Sequence, residues 1–288
     1  MFMIGSRWFV AWGLVLGCLS CGTNESRTNI RDGGDAALDA EGNGEADATG
    51  TAGQAGYAGQ ASAGGAGGNA GHQEGGVVPP PAGGAVVFPG VFNARNEGGY
   101  LTVSGQRIKH QVLIRSGHLA DLGASGCQRF EELSIRSVLD LRAADDAASN
   151  PDAACVTQHA SYTLVDLPKI LPPSVDAYRQ TLDATEPKLS IIFSKLSEDG
   201  ALPAIVHCVI GRDRASLVSA VLLLALGVSQ EDVKKDFVDN QDDTVHVEAA
   251  WLSPLLDRVD GAGGIEPYLL SHGVTQAMIE RFRVQALE

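Results

Sequence analysis

A chain of 288 residues with a formal charge of −14 and no basic run lacks the positive stripe or patch that nucleic acid requires. The charge is shared unevenly, −5 over residues 1–84 and −9 over residues 85–288. An acidic surface does not exclude a phosphate pocket, because a few local amides and one side chain make the field that holds an anion.

The chain begins with a single basic residue, Arg7, an apolar run WFVAWGLVL, and Val15-Leu16-Gly17 directly before Cys18. The run is about half of the ~20 residues that a spanning helix needs. Residues 1–17 therefore resemble a bacterial lipoprotein signal peptide, with Cys18 as the residue that receives the lipid. Cys21 is a poorer match, since Cys18-Leu19-Ser20 precedes it. Leu19, rather than Asp, after the cysteine favours transfer to the outer membrane. The expectation is an exported, lipid-anchored protein facing the periplasm or the cell surface.

Residues 33–84 are nearly all Gly, Ala, Asn, Gln, Asp and Glu, as in AGQAGYAGQASAGGAGGNAG. They have too little large apolar surface to offset the entropy of ordering. Residues 18–84 are thus expected to hold the lipidation site and a disordered tether, with an r.m.s. span of about 40 to 50 Å.

Residues 85–288 read as one domain with a full core. Tyr100 to Ser104 and Ile108 to Arg115, around a turn at Gly105-Gln106, predict a β-hairpin. Ser125 with Gln128 three residues later predicts a capping box opening a helix through Leu133. Short buried strands are expected over 135–141 and 161–167, and helices over 174–186 and 188–199. Pro203 to His207 reads as a strand. Arg214 to Leu226 is apolar on nearly every face, so it predicts a buried helix ending at Gly227. Three or four helices close the chain. Strands alternating with helices predict an α/β domain whose largely parallel central sheet is flanked by helices. Cys127 and Cys155 form either a disulfide or two half-buried thiols, and their spacing leaves both open.

The stretch VHCVIGRDRAS, residues 206–216, joins the last predicted strand to the buried helix. That junction places Cys208 at the C-terminal edge of the sheet, with the amides of Val209, Ile210, Gly211 and Arg212 turned around an anion. The helix N-terminus and Arg214 favour a thiolate at Cys208. Arg214 suits bidentate contact with two phosphoryl oxygens, and Gly211 stands where a side chain would block the turn or the ligand. The thiolate attacks phosphorus, a cysteinyl-phosphate forms, and water hydrolyses it. The leaving oxygen needs a proton from a carboxylic acid, supplied by Asp166 in LVDLP or by Asp213 on the loop. His207 is expected to orient the loop, and Asp140 to fix Arg142 from a buried strand end. His110, His118, His159, His246 and His272 show no metal-ligand spacing, so the chemistry is read as needing no metal or cofactor.

Beyond the loop, NARNEGGY (93–100), VLIRSGHLADL (112–122), SIRSVLDLRAADD (134–146) and LLLALGVSQEDVKKDFVDNQ (222–241) complete a pattern. It resembles the bacterial tyrosine phosphatase family whose loop reads HCxxGKDRTG, within the cysteine-based protein tyrosine phosphatases. The resemblance covers roughly residues 93–285. It implies Cys208 as nucleophile, Arg214 as phosphate ligand, Asp213 as an acid on the loop, and Arg142 close to the pocket.

Three departures stand out. Arg212 replaces a lysine that accompanies phosphoinositide activity, and Asn96 replaces an aspartate. Ala215-Ser216 replaces Thr-Gly, removing the hydroxyl that helps the sulfur leave. Ser216 lies about 100° further round the helix, so it is not expected to take over, although it can support the loop. Losing one hydrogen bond to a charged group costs roughly 1.5 to 3 kcal/mol, a ten- to hundred-fold slowing of the second step by transition-state arithmetic.

The leading expectation is a phosphatase for phosphotyrosine, with phosphoserine/threonine and phosphoinositide as further substrates, acting on a phosphorylated protein or small phosphomonoester. One alternative is a weakly active or inactive phosphate-binding lipoprotein. Another is an inositol-polyphosphate phosphatase, which would need a strongly basic rim.

Overall fold

The computed structural model describes residues 82–170, 172–239 and 247–288. The expected signal peptide, Cys18 and the tether lie outside the described residues. Among the described residues no helix is long and apolar enough to cross a membrane.

In chain order the domain runs through β1 (Arg95–Asn96), β2 (Leu113–Ser116), α1 (Ala124–Glu132), β3 (Ser137–Asp140), α2 (Ala144–Ser149), α3 (Ala154–His159) and β4 (Ser161–Leu164). It continues with α4 (Val175–Thr185), α5 (Leu189–Leu196), β5 (Ala204–His207), α6 (Asp213–Ala225), α7 (Gln230–Val238), α8 (Ser253–Gly261), α9 (Ile265–Ser271) and α10 (Gln276–Ala286). The strands make one sheet in the order β1-β2-β5-β3-β4. Only the β1–β2 pair is antiparallel, so the expected α/β architecture with a largely parallel sheet is what forms.

The parallel register sets Ser116, His207 and Asp140 in one row at the C-terminal ends of β2, β5 and β3. Arg115, Val206 and Leu139 form the row before it. Successive side chains on a strand point to opposite faces, so the two rows serve different cores. Leu113, Val206 and Leu139 pack with α4, α5 and the apolar residues of α6. Ile114, Ile205 and Val138 pack with Phe130 of α1 and Val156 of α3. All thirteen residues of α6 are buried, as a helix apolar all round requires. It stops at Gly227, whose φ of +89° suits a residue without a Cβ.

The expected hairpin forms at its tip, where Leu101 bridges Arg107, Thr102 N donates to Gln106 O and Ile108 N to Tyr100 O. The outward-facing amides of its second arm pair with the C-terminus, Arg107 N donating to Glu288 O and Lys109 N to Ala286 O. One local expectation is corrected. The capping box is absent. Helix α1 starts after Gly123 without a side-chain cap, and Gln128 Nε2 donates to Glu132 instead. Helices α2 and α3 span six residues each, too short to impose a 3.6-residue period on the sequence. Cys127 and Cys155, left open above, form a disulfide between α1 and α3 with Cα atoms 5.9 Å apart.

Candidate active site

Cys208 follows directly on β5, is 1% exposed, and is the free cysteine among the described residues. The loop after it is held from outside through its carbonyls. Val209 O accepts from His118 N at 3.1 Å. Ile210 O and Gly211 O accept from Asn93 Nδ2 at 3.3 and 3.2 Å. A trans peptide points its N–H opposite to its C=O, so tying Val209 O and Gly211 O outward turns the amides of Ile210 and Arg212 the other way. The first helical amides, from Asp213 to Ala215, have no carbonyl within α6 to meet. Gly211 closes the turn at φ +69°, and a Cβ there would lie 2.4 Å from the Ser116 carbonyl carbon. No other residue fits.

These elements line a cavity of about 280 Å³ bounded by Cys208, Val209, Ile210, Arg212, Asp213 and Arg214, with Asp146, Lys169 and Ile170 on its rim. Arg214 is buried, and its Nη1 donates to Leu141 O at 3.4 Å and Leu167 O at 3.3 Å. Two carbonyls beyond β3 and β4 thus aim the guanidinium. Asp213 accepts from Arg212 through both oxygens at 2.9 Å, and from Tyr178 Oη at 2.8 Å. Burial, then the charge of Asp213, push the Tyr178 phenol above its ordinary range, so it remains a donor. Lys169 Nζ pairs with Asp146 at 2.8 Å and Asp145 at 3.5 Å.

Two of the predicted residues lie elsewhere. Asp166 is exposed, is not among the cavity-lining residues, and accepts from Ala144 N at 2.9 Å, capping α2. Its φ of +57° is one an aspartate tolerates. Arg142, expected to bind phosphate, is buried behind the loop. Its donors are already committed to Asp140 at 2.7 to 3.0 Å, Asp152 at 2.9 Å and Asn150 O at 2.7 Å. It is a structural cation. The expectation that Asp140 fixes it is met.

His207 is fully buried behind Cys208. Its Nδ1 lies 3.3 Å from Cys208 O, and its Nε2 lies 3.0 Å from Asp152 Oδ2 and 3.8 Å from Asp140 Oδ1. Asp140, Asp152 and His207 could each offer a ligand atom within 4.8 Å of one another. The guanidinium of Arg142 bonds both carboxylates, however, and already fills a cation's place. Ser216 Oγ donates to the carbonyls of Arg212 and Asp213, which braces the loop exit and points the hydroxyl along the helix. Ala215 is buried and brings no hydroxyl.

Asn93, Asp146, Asp152, Lys169, Ile170 and Tyr178 were not singled out from the sequence. Asn93 and Asp146 stand inside the quoted family segments. The rest reach the site through contacts far apart in the chain, for which a single sequence carries no signal.

Among solved structures, a human tyrosine phosphatase-like serine/threonine/tyrosine-interacting protein aligns at 15% identity. The match covers 53% of this chain and 93% of that one, with a TM-score of 0.35, too loose a fit to support inference about the site. A Cupriavidus necator protein provisionally named a tyrosine-protein phosphatase is 26% identical over 54% of this chain and 62% of its own length. A tyrosine-protein phosphatase of Nostoc commune is 27% identical over 56% and 58%, so the chain spans about three-fifths of these relatives. A model described as the tyrosine phosphatase family matches residues 86–288, and the chain belongs to that family.

Proposed function

We propose that this chain is a phosphomonoesterase that passes the phosphoryl group through Cys208, with phosphotyrosine as its substrate class. The observation that carries the reading is the buried free thiol of Cys208 in one cavity with Arg214, at a helix N-terminus. The phosphate sits against the loop amides and Arg214, and Cys208 Sγ bonds phosphorus as the ester oxygen leaves. Of the two candidate acids Asp213 alone lines the cavity. In this scheme it is the proton donor after it takes up a proton and one of its oxygens is released by Arg212, which otherwise bonds both. Water then releases phosphate from sulfur.

Two features support a single phosphate on an aromatic carrier. The walls include Ile170, Val209 and Ile210, which suit a flat apolar ring. The other rim cations, Arg212 and Lys169, are already paired with carboxylates, which leaves little for further phosphates. An inositol polyphosphate is therefore the weaker substrate. The disulfide fits an exported, lipid-anchored protein, because such bonds persist in oxidising compartments.

The test is hydrolysis of an aryl phosphate, a phosphotyrosine peptide and phytate in the presence of a chelator. The peptide is expected to be hydrolysed faster than phytate. Cys208→Ser abolishes the activity, and Asp213→Asn lowers it more than Asp166→Asn does. Metal-dependent activity surviving Cys208→Ser would overturn the reading.

Ala215 and the orientation of Ser216 favour a second reading, a phosphoenzyme that forms readily and decays slowly. Quenched flow then gives a burst followed by slow release. Ala215→Thr speeds the slow phase roughly ten- to a hundred-fold, the worth of one hydrogen bond to a charged group. No trapped cysteinyl-phosphate at all would point instead to a phosphate-binding protein.

A further inference from the structure

Behind the nucleophile, on the face of the sheet away from α6, one aspartate holds together three parts of the molecule. Asp152 lies in the segment between α2 and α3 with its side chain 2% exposed. Its Oδ1 accepts from Arg142 Nη2 at 2.9 Å and from Leu119 N at 3.2 Å. Its Oδ2 stands 3.0 Å from His207 Nε2, an ion-pair approach without hydrogen-bond geometry, and neither atom has a hydrogen-bond partner among the described residues. Through Arg142 the aspartate is joined to Asp140 at the end of β3. Through His207 it is joined to the residue that immediately precedes Cys208.

The segment bearing Asp152 is itself anchored. Ala153 N donates to Leu119 O at 3.1 Å. Cys155, three residues beyond Asp152, is bonded to Cys127 of α1. A covalent bond thus fixes α3 against α1, and the segment leading into α3 presents the carboxylate to the back of the loop.

We propose that Asp152 is a positioning residue for Cys208, acting through His207, and that the Cys127–Cys155 disulfide holds it in register. The inference rests on the phosphatase reading for its kinetic consequence but not for its geometry. A misplaced nucleophile loses much of its reactivity, and His207, next to Cys208 in the chain, carries its ring Nδ1 3.3 Å from the Cys208 carbonyl. The groups facing the ring of His207 are Asp140 and Asp152, with Arg142 and Tyr162 bonded in turn to Asp140.

Four versions of the full chain test it: wild type, Asp152→Asn, Cys127→Ser/Cys155→Ser, and the triple variant. The first readout is alkylation of Cys208 by iodoacetate, followed by peptide mass, which works whether or not the chain turns over phosphate. The second is kcat and KM on an aryl phosphate, well below each variant's melting temperature. Asp152→Asn is expected to slow alkylation about fivefold and to lower kcat about tenfold with KM within twofold, as loss of alignment does. The serine pair gives a smaller loss of the same kind. The triple variant matches Asp152→Asn, because perturbations acting through one element do not add.

Unchanged or faster alkylation in Asp152→Asn, a loss confined to KM, or losses that multiply in the triple variant would each overturn the proposal. Should Asp152→Asn fail to fold, the serine pair decides: wild-type alkylation and kcat overturn it, and slowed alkylation with lowered kcat upholds it. A wild type that is alkylated but hydrolyses nothing would remove the phosphatase reading and leave the alkylation test standing.

Discussion

The sheet carries a buried cluster of charges on each face, and the two respond to protons in opposite directions. On the face of α1 and α3, Asp140 and Asp152 enclose Arg142, with His207 beside them. Burial alone would raise the Asp140 carboxyl. Hydrogen bonds from Arg142, the charge of His207 and the Tyr162 hydroxyl outweigh it and hold the group below its ordinary value. On the face of α6 and α7, Arg115 is paired with Glu97 at 3.0 Å and lies 3.8 Å from Asp236, while Tyr100 Oη donates to Asp236. There burial, then the charge of Asp236, push Glu97 up to about 8. In the first cluster Asp140 is held ionised, and in the second Glu97 accommodates a proton. The first is also the one next to Cys208, where a change of charge would be felt by the nucleophile.

The largest effect should come from breaking the charged cluster at its cation. Arg142→Met leaves Asp140 and Asp152 buried without their partner. Removing one member of a buried pair costs about 3 to 5 kcal/mol, read as a fall in the urea midpoint at pH 7. Acid should relieve part of it, since Asp140 then takes up a proton at less cost. A loss under 1 kcal/mol would mean that the cluster holds little of the fold together. Opening the disulfide on the same face comes next. Cys127→Ser/Cys155→Ser frees a loop with a sequence separation of 28 residues, worth about 3 to 4 kcal/mol on the chain-entropy model. The denaturation midpoint should fall accordingly at every pH, which separates this loss from that of a charge.

These clusters also mark where the sequence stopped being readable. Strands β3 and β5 and the helix α6 are legible because each is largely apolar and buried, whereas β1 is the polar pair Arg95-Asn96 and β4, expected to be buried, is mostly exposed. Cys208, Gly211 and Arg214 were legible because the site packs their chemistry into seven consecutive residues. Arg142 was misplaced for a physical reason. Its segment does end near the loop, but Asp152, ten residues on, captures the guanidinium and turns it from the cavity. Asp166 follows a strand, as a candidate acid over the pocket should, yet the short helix α2, which carries no period in the sequence, offers it an unpaired amide first. Tyr178 reaches Asp213 from 35 residues away, a contact for which a single sequence carries no signal.

The smallest and most specific effect concerns Glu97. Its folded value of about 8 lies above the ordinary 4.5 of a glutamate, so between those limits the folded chain binds more of this proton than the unfolded chain. Stability then falls as pH rises through that interval and levels off above it, because the slope follows the unfolded-minus-folded difference in bound protons. The protonated carboxyl can donate toward Asp236, and the ionised one places a second anion beside it against Arg115. Glu97→Gln keeps a donor and an acceptor at the position but cannot ionise. Its stability curve, followed by thermal melting from pH 5 to 9, should be flatter than the wild type's between 5 and 8 and should cross above it at the alkaline end. Asp140, with a depressed value, works in the other sense, and its contribution is lost only as pH falls below the ordinary carboxylate range. If the variant and wild-type curves stay parallel throughout, Glu97 does not take up the proton, and the two faces of the sheet carry the same kind of cluster after all.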